Sequence, residues 1–138
     1  MATLPELDAV FRRLKDVLST HDGPLSVSDD TSTKYCLESA IGPATLKAWG
    51  GRVRRPSIPV AWVEVGKAYV SYHLMGITVP TVQNGMSKAL KARMQGKTCF
   101  NFKTVDEALF EELRRVTAES LRSLKRAGFI ADMPVPDR

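Results

Sequence analysis

The sequence has few of the residues that most often hold metals or form disulfides. Among 138 residues there are two cysteines, Cys36 and Cys99, and two histidines, His21 and His73. The cysteines are far apart, and no Cys-x-x-Cys or His-Glu-x-x-His spacing occurs, so we expect neither a disulfide framework nor a metal site. A Gly-x-x-x-x-Gly-Lys motif is also missing, which excludes the usual phosphate-binding loop. The sequence therefore predicts no metal and no cofactor.

Long apolar runs are absent as well. A stretch such as Ile58–Val63 is far shorter than the ~18–20 residues that cross a bilayer. Residues 1–20 lack the apolar core of a signal peptide. We therefore expect a cytoplasmic protein with no membrane contact. Its length and its 43% hydrophobic and 25% charged residues are typical of one globular domain, residues 1–138, in which residues 129–138 are predicted to be a frayed tail.

Basic charge is concentrated in the middle of the chain. Residues 51–103 contain nine lysines and arginines and a single acid, Glu64, whereas residues 1–50 and 104–138 carry net charges of −2 and −1. If the basic side chains share a face, they favour an anionic partner. The alternative is that they line solvated edges and only keep the protein soluble.

Apolar residues at three- and four-residue spacing predict a long helix near each end of the chain. The first stripe runs from Leu7 to Leu18, with a Thr3/Glu6 capping box before it and a break at residues 22–24. The second helix is predicted to start at a Thr104/Glu107 capping box and to end at Gly128.

Between these helices the spacing of Met86, Leu90 and Met94 predicts a short amphipathic helix with Gly96 as its C-terminal cap. Residues 60–65 and 69–74 are rich in β-branched and aromatic residues and flank a Gly66-Lys67 turn, which predicts a hairpin.

Three further strands are predicted, at residues 98–103, 25–27 and 34–38. The last two flank a turn-rich Ser28-Asp29-Asp30 segment. Together these elements predict an α+β fold, a single mainly antiparallel sheet packed against two long terminal helices, with one short inserted helix. Apolar side chains of both helices and of the central strands are expected to form the core: Phe11, Leu14, Val70, Tyr72, Phe100, Phe102, Leu109 and Leu113.

The stretches Tyr69–Met75 and Leu90–Lys103 resemble the YdhG-like family of small bacterial proteins of unknown function. The similarity is best over residues 58–125, and its core is the Gly-Lys-x-Cys-Phe-x-Phe-Lys sequence at 96–103, which leads into a capped helix. The resemblance implies a compact α+β domain and supplies no catalytic residues. Some relatives are described as frataxin-like iron chaperones, a role that implies acidic carboxylates, whereas residues 51–103 are strongly basic here.

A basic surface is the leading candidate for function. Gly50-Gly51 and Pro56 are expected to place Arg52, Arg54 and Arg55 in an exposed, mobile loop at a pocket rim. The other candidate binding residues are lysines around the short helix and the strand after it: Lys88, Lys91, Lys97 and Lys103.

We expect these side chains to bind an anionic small molecule or an acidic protein. Trp49 and Trp62 also offer stacking surface for a nucleic acid, although no recognised nucleic-acid motif accompanies them. Two structural alternatives stand beside this interpretation. Trp62 would be a core residue, and the arginines would pair with acids of the terminal helices, such as Glu111 or Glu112.

An enzyme that uses Cys99 and His73 is the second hypothesis. Cys99 lies on the strand face opposite Phe100, beside Asn101, and His73 is near the end of another strand. If the strands are neighbours, a Cys–His pair with an orienting asparagine results, and Lys97 and Lys103 would lower the pKa of the thiol. The alternative is an inert cysteine that fills a small apolar gap and a structural histidine.

For assembly, we expect a monomer or a weak dimer, since no heptad seam is present. A strand at Lys34–Glu38 is predicted to be an exposed sheet edge and the main self-association surface, because unpaired strand edges favour pairing.

Overall fold

The computed structural model describes residues 4–21, 25–78 and 80–131. Within these ranges the helices are α1 (Leu4–Ser19), α2 (Pro43–Ala48), α3 (Pro80–Asn84), α4 (Lys88–Lys91) and α5 (Glu107–Arg126), with a 3-10 helix at Met75–Thr78. The strands are β1 (Ser26–Asp30), β2 (Lys34–Ala40), β3 (Ser57–Val65), β4 (Val70–Leu74), β5 (Met94–Gln95) and β6 (Cys99–Phe102). In this described part of the chain, no helix is both long and apolar enough to span a membrane.

All described strands form one antiparallel sheet in the order β1-β2-β3-β4-β6-β5. The first four follow one another as a meander, and the β5–β6 hairpin joins through β6. The α+β prediction is confirmed, including the two long terminal helices. The hairpin predicted around Gly66 is the β3–β4 connection, in which the Gly66 N–H donates to the Tyr69 carbonyl at 2.8 Å.

One face of the sheet carries the hydrophobic core. Tyr72 lies between Val63 and Phe100 in the register, and its hydroxyl is 2.6 Å from the Thr117 hydroxyl of α5, so this row of side chains faces the helices. The stripe of α1, from Leu7 to Leu18, is buried against the same layer. Every predicted core residue is buried. Alternation in strands and helical periodicity therefore determine this layer.

Several predicted boundaries are wrong. The side chain that caps α5 is Asp106, which accepts from the Leu109 N–H at 3.1 Å, rather than Thr104. The inserted helix α4 has four residues, because Met94 instead begins β5 and Gly96 turns the chain between β5 and β6 with φ of +79°. The proposed Thr3 cap and the break at residues 22–24 lie outside the described residues.

The sheet edges differ from the prediction as well. The predicted strand at Lys34–Glu38 is interior, since β2 pairs with β1 on one side and β3 on the other; the edges are β1 and β5. Ser28, Asp29 and Asp30 belong to β1 rather than to a turn, and the Thr31 N–H closes the turn on the Lys34 carbonyl. Strand order is set by tertiary pairing, which local patterns do not encode.

The predicted tail begins too early. Ile130 is buried and forms an isolated β-bridge with Ile41, so residues 129–131 are part of the fold. Residues 132–138 lie outside the described residues.

Candidate ligand-binding site

A cavity of about 460 Å³ lies between α2, the first half of β3 and the end of α5. Its volume is within the ~300–1,000 Å³ typical of small-molecule sites. Aromatic and aliphatic side chains dominate its wall, which is lined by Thr45, Trp49, Ile58, Pro59, Val60, Trp62, Met75, Leu124 and Phe129.

The helix α2 forms one wall because it is tied to the chain that follows α5. The Gly42 N–H donates to the Phe129 carbonyl at 3.0 Å, and the Ala44 N–H donates to the Gly128 carbonyl at 2.8 Å. The Thr45 hydroxyl also donates to the Phe129 carbonyl, at 2.6 Å. The two N–H bonds satisfy donors at the start of α2, as a helix start requires, and Trp49, which follows α2, lines the same cavity as β3.

A β-bulge shapes the second wall. The register of β2 and β3 shifts between Leu37 and Glu38, which leaves Val60 without a partner in β2. Bulges increase the local twist of a strand, and here Val60 is buried and lines the cavity. Trp62, expected in the core, is only half-buried and lines the same cavity. Its position in β3 places it on the sheet face opposite Val63, away from α1.

The arginine loop, residues 50–56, connects two lining residues of this cavity, Trp49 and Ile58, by way of Ser57. Gly50 and Gly51 have φ of +72° and +83°, the left-handed region that favours glycine. The exposure predicted for Arg52, Arg54 and Arg55 is confirmed. Their side chains are not among the cavity-lining residues, so the loop adjoins the cavity without forming its wall.

The three arginines differ in their contacts. Arg55 donates through Nε to the Ser57 carbonyl at 2.8 Å and lies 3.9 Å from a Glu38 carboxylate oxygen. Arg52 and Arg54 have no ion pair or side-chain hydrogen bond with any described residue. The predicted pairing with Glu111 or Glu112 is wrong.

Each of those two acids has other partners. Glu111 lies 3.5 Å from Arg114. Glu112 accepts from Ser87 and lies 3.8 Å from Arg115. The free arginines of the loop are therefore not neutralised by α5.

The predicted basic residues do not form one surface. Lys97 lies in the β5–β6 turn, at the end of the sheet where β4 finishes, whereas Lys103 follows β6 at the opposite end. Lys88 and Lys91 belong to α4, which leads into β5 at that second end. All four lysines are exposed. Basic charge is thus divided between the two ends of the sheet.

Cys99 and His73 are brought together as predicted. They are opposite each other in the β4–β6 register, with Cys99 Sγ 3.8 Å from His73 Nε2. The thiol also lies 3.3 Å from Asn101 Oδ1, to which the Ser71 hydroxyl donates at 3.0 Å. Asn101 therefore contacts the thiol rather than orienting the imidazole. On its other side His73 stacks on Trp62, with ring centroids 4.5 Å apart and planes 12° apart.

Burial disfavours the charged form of both Cys99 and His73. Burial raises the pKa of the Cys99 thiol, and the side chain of Ser71 lowers it by less. Burial also lowers the pKa of His73, against an opposing effect of Glu64. The expectation that Lys97 and Lys103 lower the thiol pKa is wrong, because desolvation dominates. Both pKa directions favour a neutral thiol beside a neutral imidazole.

Sequence reasoning missed Met75 and Phe129 as site residues. Each is 41% exposed despite its size, and no spacing pattern in the sequence marks either as a binding residue. In the described ranges, no group of three or more His, Cys, Asp or Glu side chains is placed to hold a metal ion.

The fold and site define an α+β protein with an apolar cavity beside an arginine loop. No family model and no solved structure matches the chain. Over 104 residues, 74% of its length, it is 30% identical to the 2,3-bisphosphoglycerate-independent phosphoglycerate mutase of Francisella tularensis subsp. novicida (strain U112). The enzyme of subsp. tularensis (strain WY96-3418) gives the same identity and length. The chain spans about a fifth (20%) of the length of these curated relatives.

Proposed function

We propose that the protein is a small YdhG-like binding protein that holds an anionic small molecule in the cavity beside the arginine loop. The observation that carries this proposal is the position of Arg52 and Arg54. Both are exposed and have no ion-pair partner among the described residues, and their loop leaves the cavity wall at Trp49 and returns at Ile58. Arginine forms paired hydrogen bonds with carboxylates and phosphates.

The distribution of charge favours a small ligand over a nucleic acid. A nucleic acid follows a continuous basic path, whereas the basic side chains lie at both ends of the sheet. A small anion needs only the two arginines that adjoin a cavity. We also infer a cytoplasmic protein, because Cys36 and Cys99 are both free thiols, which is usual in a reducing compartment. It is further proposed to be a monomer or a weak dimer.

The enzymes to which the chain is similar suggest a probe. They are phosphoglycerate mutases, and the chain matches only a fifth of their length, so their activity is not carried over to it. Phosphoglycerate remains a useful anion to test. It is a small, hydroxylated phosphate that contrasts with apolar acids.

Replacing Arg52 and Arg54 together by glutamine should weaken anion binding without unfolding the protein. A hydrogen-bonded charge contact contributes about 1.5–3 kcal/mol, so Kd should rise by roughly 10- to 100-fold. The melting temperature should stay close to that of the parent, since both side chains are exposed and neither forms an ion pair within the described part of the chain. Isothermal titration would use the tightest binder among benzoate, naphthalene-2-carboxylate, 3-phosphoglycerate and inorganic phosphate.

The matched control is Lys97→Gln with Lys103→Gln, which removes the same charge from exposed positions outside the loop. Affinity should survive in this control. Equal loss in both variants would show that general charge, and not the arginine loop, attracts the anion. Arg55→Gln should lower stability instead, because it removes contacts with Glu38 and Ser57.

A second candidate function is an enzyme that uses Cys99 as nucleophile and His73 as base. The 3.8 Å approach of Sγ to Nε2 favours it. The pKa directions of both groups oppose a resting thiolate–imidazolium pair. The two interpretations therefore differ in how the thiol responds to pH.

We expect Cys99 to alkylate slowly near neutral pH and faster as the pH rises above the ordinary thiol pKa. The reason is that burial keeps the thiol protonated, and only the thiolate reacts. Iodoacetamide labelling of a Cys36→Ser variant, followed by mass spectrometry across the pH range, measures this directly. A nucleophile activated by His73 would instead react rapidly at neutral pH and would slow in His73→Gln.

A further inference from the structure

We propose that the ligand of this cavity is an aromatic monocarboxylate, with a flat apolar body between the tryptophans and its carboxylate at Arg52 and Arg54. This inference rests on the proposed function and narrows it to one chemical class. Three features of the cavity carry it: the polarity of its wall, the identity of its aromatic side chains, and its size.

The wall offers almost nothing for a polar ligand to bind. Apart from two indole N–H groups, the only polar side chain among its described lining residues is Thr45. That hydroxyl already donates to the Phe129 carbonyl at 2.6 Å. A ligand rich in hydroxyl groups would lose its hydrogen bonds to water without replacement, which is unfavourable. The part of the ligand inside the cavity is therefore apolar.

The aromatic side chains favour a flat ring system. Trp49 comes from α2, Trp62 from β3 and Phe129 from the chain after α5, so three separate segments present rings to one space. Stacking on His73 fixes the orientation of Trp62, which limits the entropy lost when a ligand contacts it. Aromatic rings favour offset-stacked or edge-to-face contacts with one another.

The cavity mouth also has apolar surface that a ligand would cover. Met75 and Phe129 are each 41% exposed, and covering such surface is favourable. The volume of about 460 Å³ is within the range typical of small-molecule sites. Two fused rings with one carboxylate fit that space. The two arginines without an ion pair among the described residues lie on a single loop, so both can donate to the oxygens of one acid group at one end of the ligand.

Three probes test the proposal on the intact protein. Naphthalene-2-carboxylate has both the apolar body and the charge, naphthalene-2-carboxamide has the body alone, and 3-phosphoglycerate has charge without the body. Binding is followed by tryptophan fluorescence and by isothermal titration. We expect naphthalene-2-carboxylate to bind at least about tenfold more tightly than either comparison compound.

Two variants test whether the ligand binds in this cavity. Met75→Ala should weaken naphthalene-2-carboxylate binding by roughly fivefold, because it removes apolar contact at the mouth. Its control, Val105→Ala, changes a residue of similar exposure, 42%, that does not line the cavity and should leave Kd unchanged. Both variants should fold, since neither side chain is buried.

The outcomes distinguish the two proposals, which are anion binding at the arginine loop and an aromatic ligand in the cavity. Tighter binding of 3-phosphoglycerate, abolished by the double arginine variant, would overturn the aromatic ligand class and leave anion binding in place. Equal binding of the carboxamide and the carboxylate would overturn the role of the arginines. Failure of all anions to bind would overturn both proposals. If Met75→Ala leaves the Kd of naphthalene-2-carboxylate unchanged, the ligand binds elsewhere and this site is overturned.

Discussion

Replacing Gly42 with alanine is expected to lower the free energy of unfolding by about 3 kcal/mol, at the upper end of the usual cost of overpacking. A β-carbon at this position would collide with the Gly128 carbonyl oxygen and would lie 2.8 Å from the Gly128 carbonyl carbon and 2.9 Å from the Ile130 oxygen. These are backbone atoms, so no side-chain rotation can relieve the contact. Thermal unfolding should show a fall of roughly 10 °C.

The same change should remove ligand binding. Gly42 caps α2, and its N–H bonds to Phe129 next to the collision. Moving α2 away from the end of α5 separates Thr45 and Trp49 from Phe129, which line the cavity together. Binding of naphthalene-2-carboxylate should therefore be lost even at temperatures where the variant remains folded.

Gly50→Ala is the matched control, because its strain has a different origin. Gly42 has extended backbone angles, φ −98° and ψ 178°, which any residue adopts. Gly50 has φ of +72° but open space around it, so alanine there costs only about 1–2 kcal/mol of backbone strain. If Gly42→Ala proves no more destabilising than Gly50→Ala, the close approach of α2 to Gly128 is not present in solution.

Elements whose residues follow one period could be predicted from the sequence. The stripe of α1, the stripe of α5 and the alternation of Phe100 and Phe102 each indicate a buried face through a 3.6- or 2-residue repeat. The inserted helix is present, but its predicted end is wrong, because Met94 satisfies the helical spacing while tertiary pairing with Phe100 makes it a strand residue. Local periodicity therefore indicates which side chains share a buried face. Tertiary pairing determines whether the segment that carries them is a helix or a strand.

The candidate site, like the fold, was predictable only in part. The approach of Cys99 to His73 was predictable in part, since alternation puts Cys99 on the face opposite Phe100 and only the pairing of two strands had to be assumed. The cavity was not predictable. Phe129 and Trp49 are distant in sequence and meet only because α2 binds the chain after α5. Likewise, Arg55 precedes β3 and lies near Glu38 of β2. No residue spacing in the sequence indicates this contact.

Phe102 is buried in the core and Phe129 lines the cavity, so truncating each ring separates an effect on stability from an effect on binding. Phe102→Ala is expected to destabilise the protein by about 3–5 kcal/mol, the usual cost of truncating a buried aromatic residue. Phe102 is 1% exposed and meets Phe110 edge-to-face at 5.0 Å, so the variant loses both burial and a ring contact. Against a total stability of roughly 5–15 kcal/mol for a domain, urea unfolding should show a large fall in the midpoint.

Phe129→Ala makes the same chemical change where the ring is 41% exposed and lines the cavity. Its backbone carbonyl, which accepts from Thr45 and Gly42, is retained. The unfolding free energy should therefore change by less than about 1 kcal/mol, while naphthalene-2-carboxylate binds several-fold more weakly. A large loss of stability in Phe129→Ala with affinity intact would make this ring a structural residue and would remove it from the binding site.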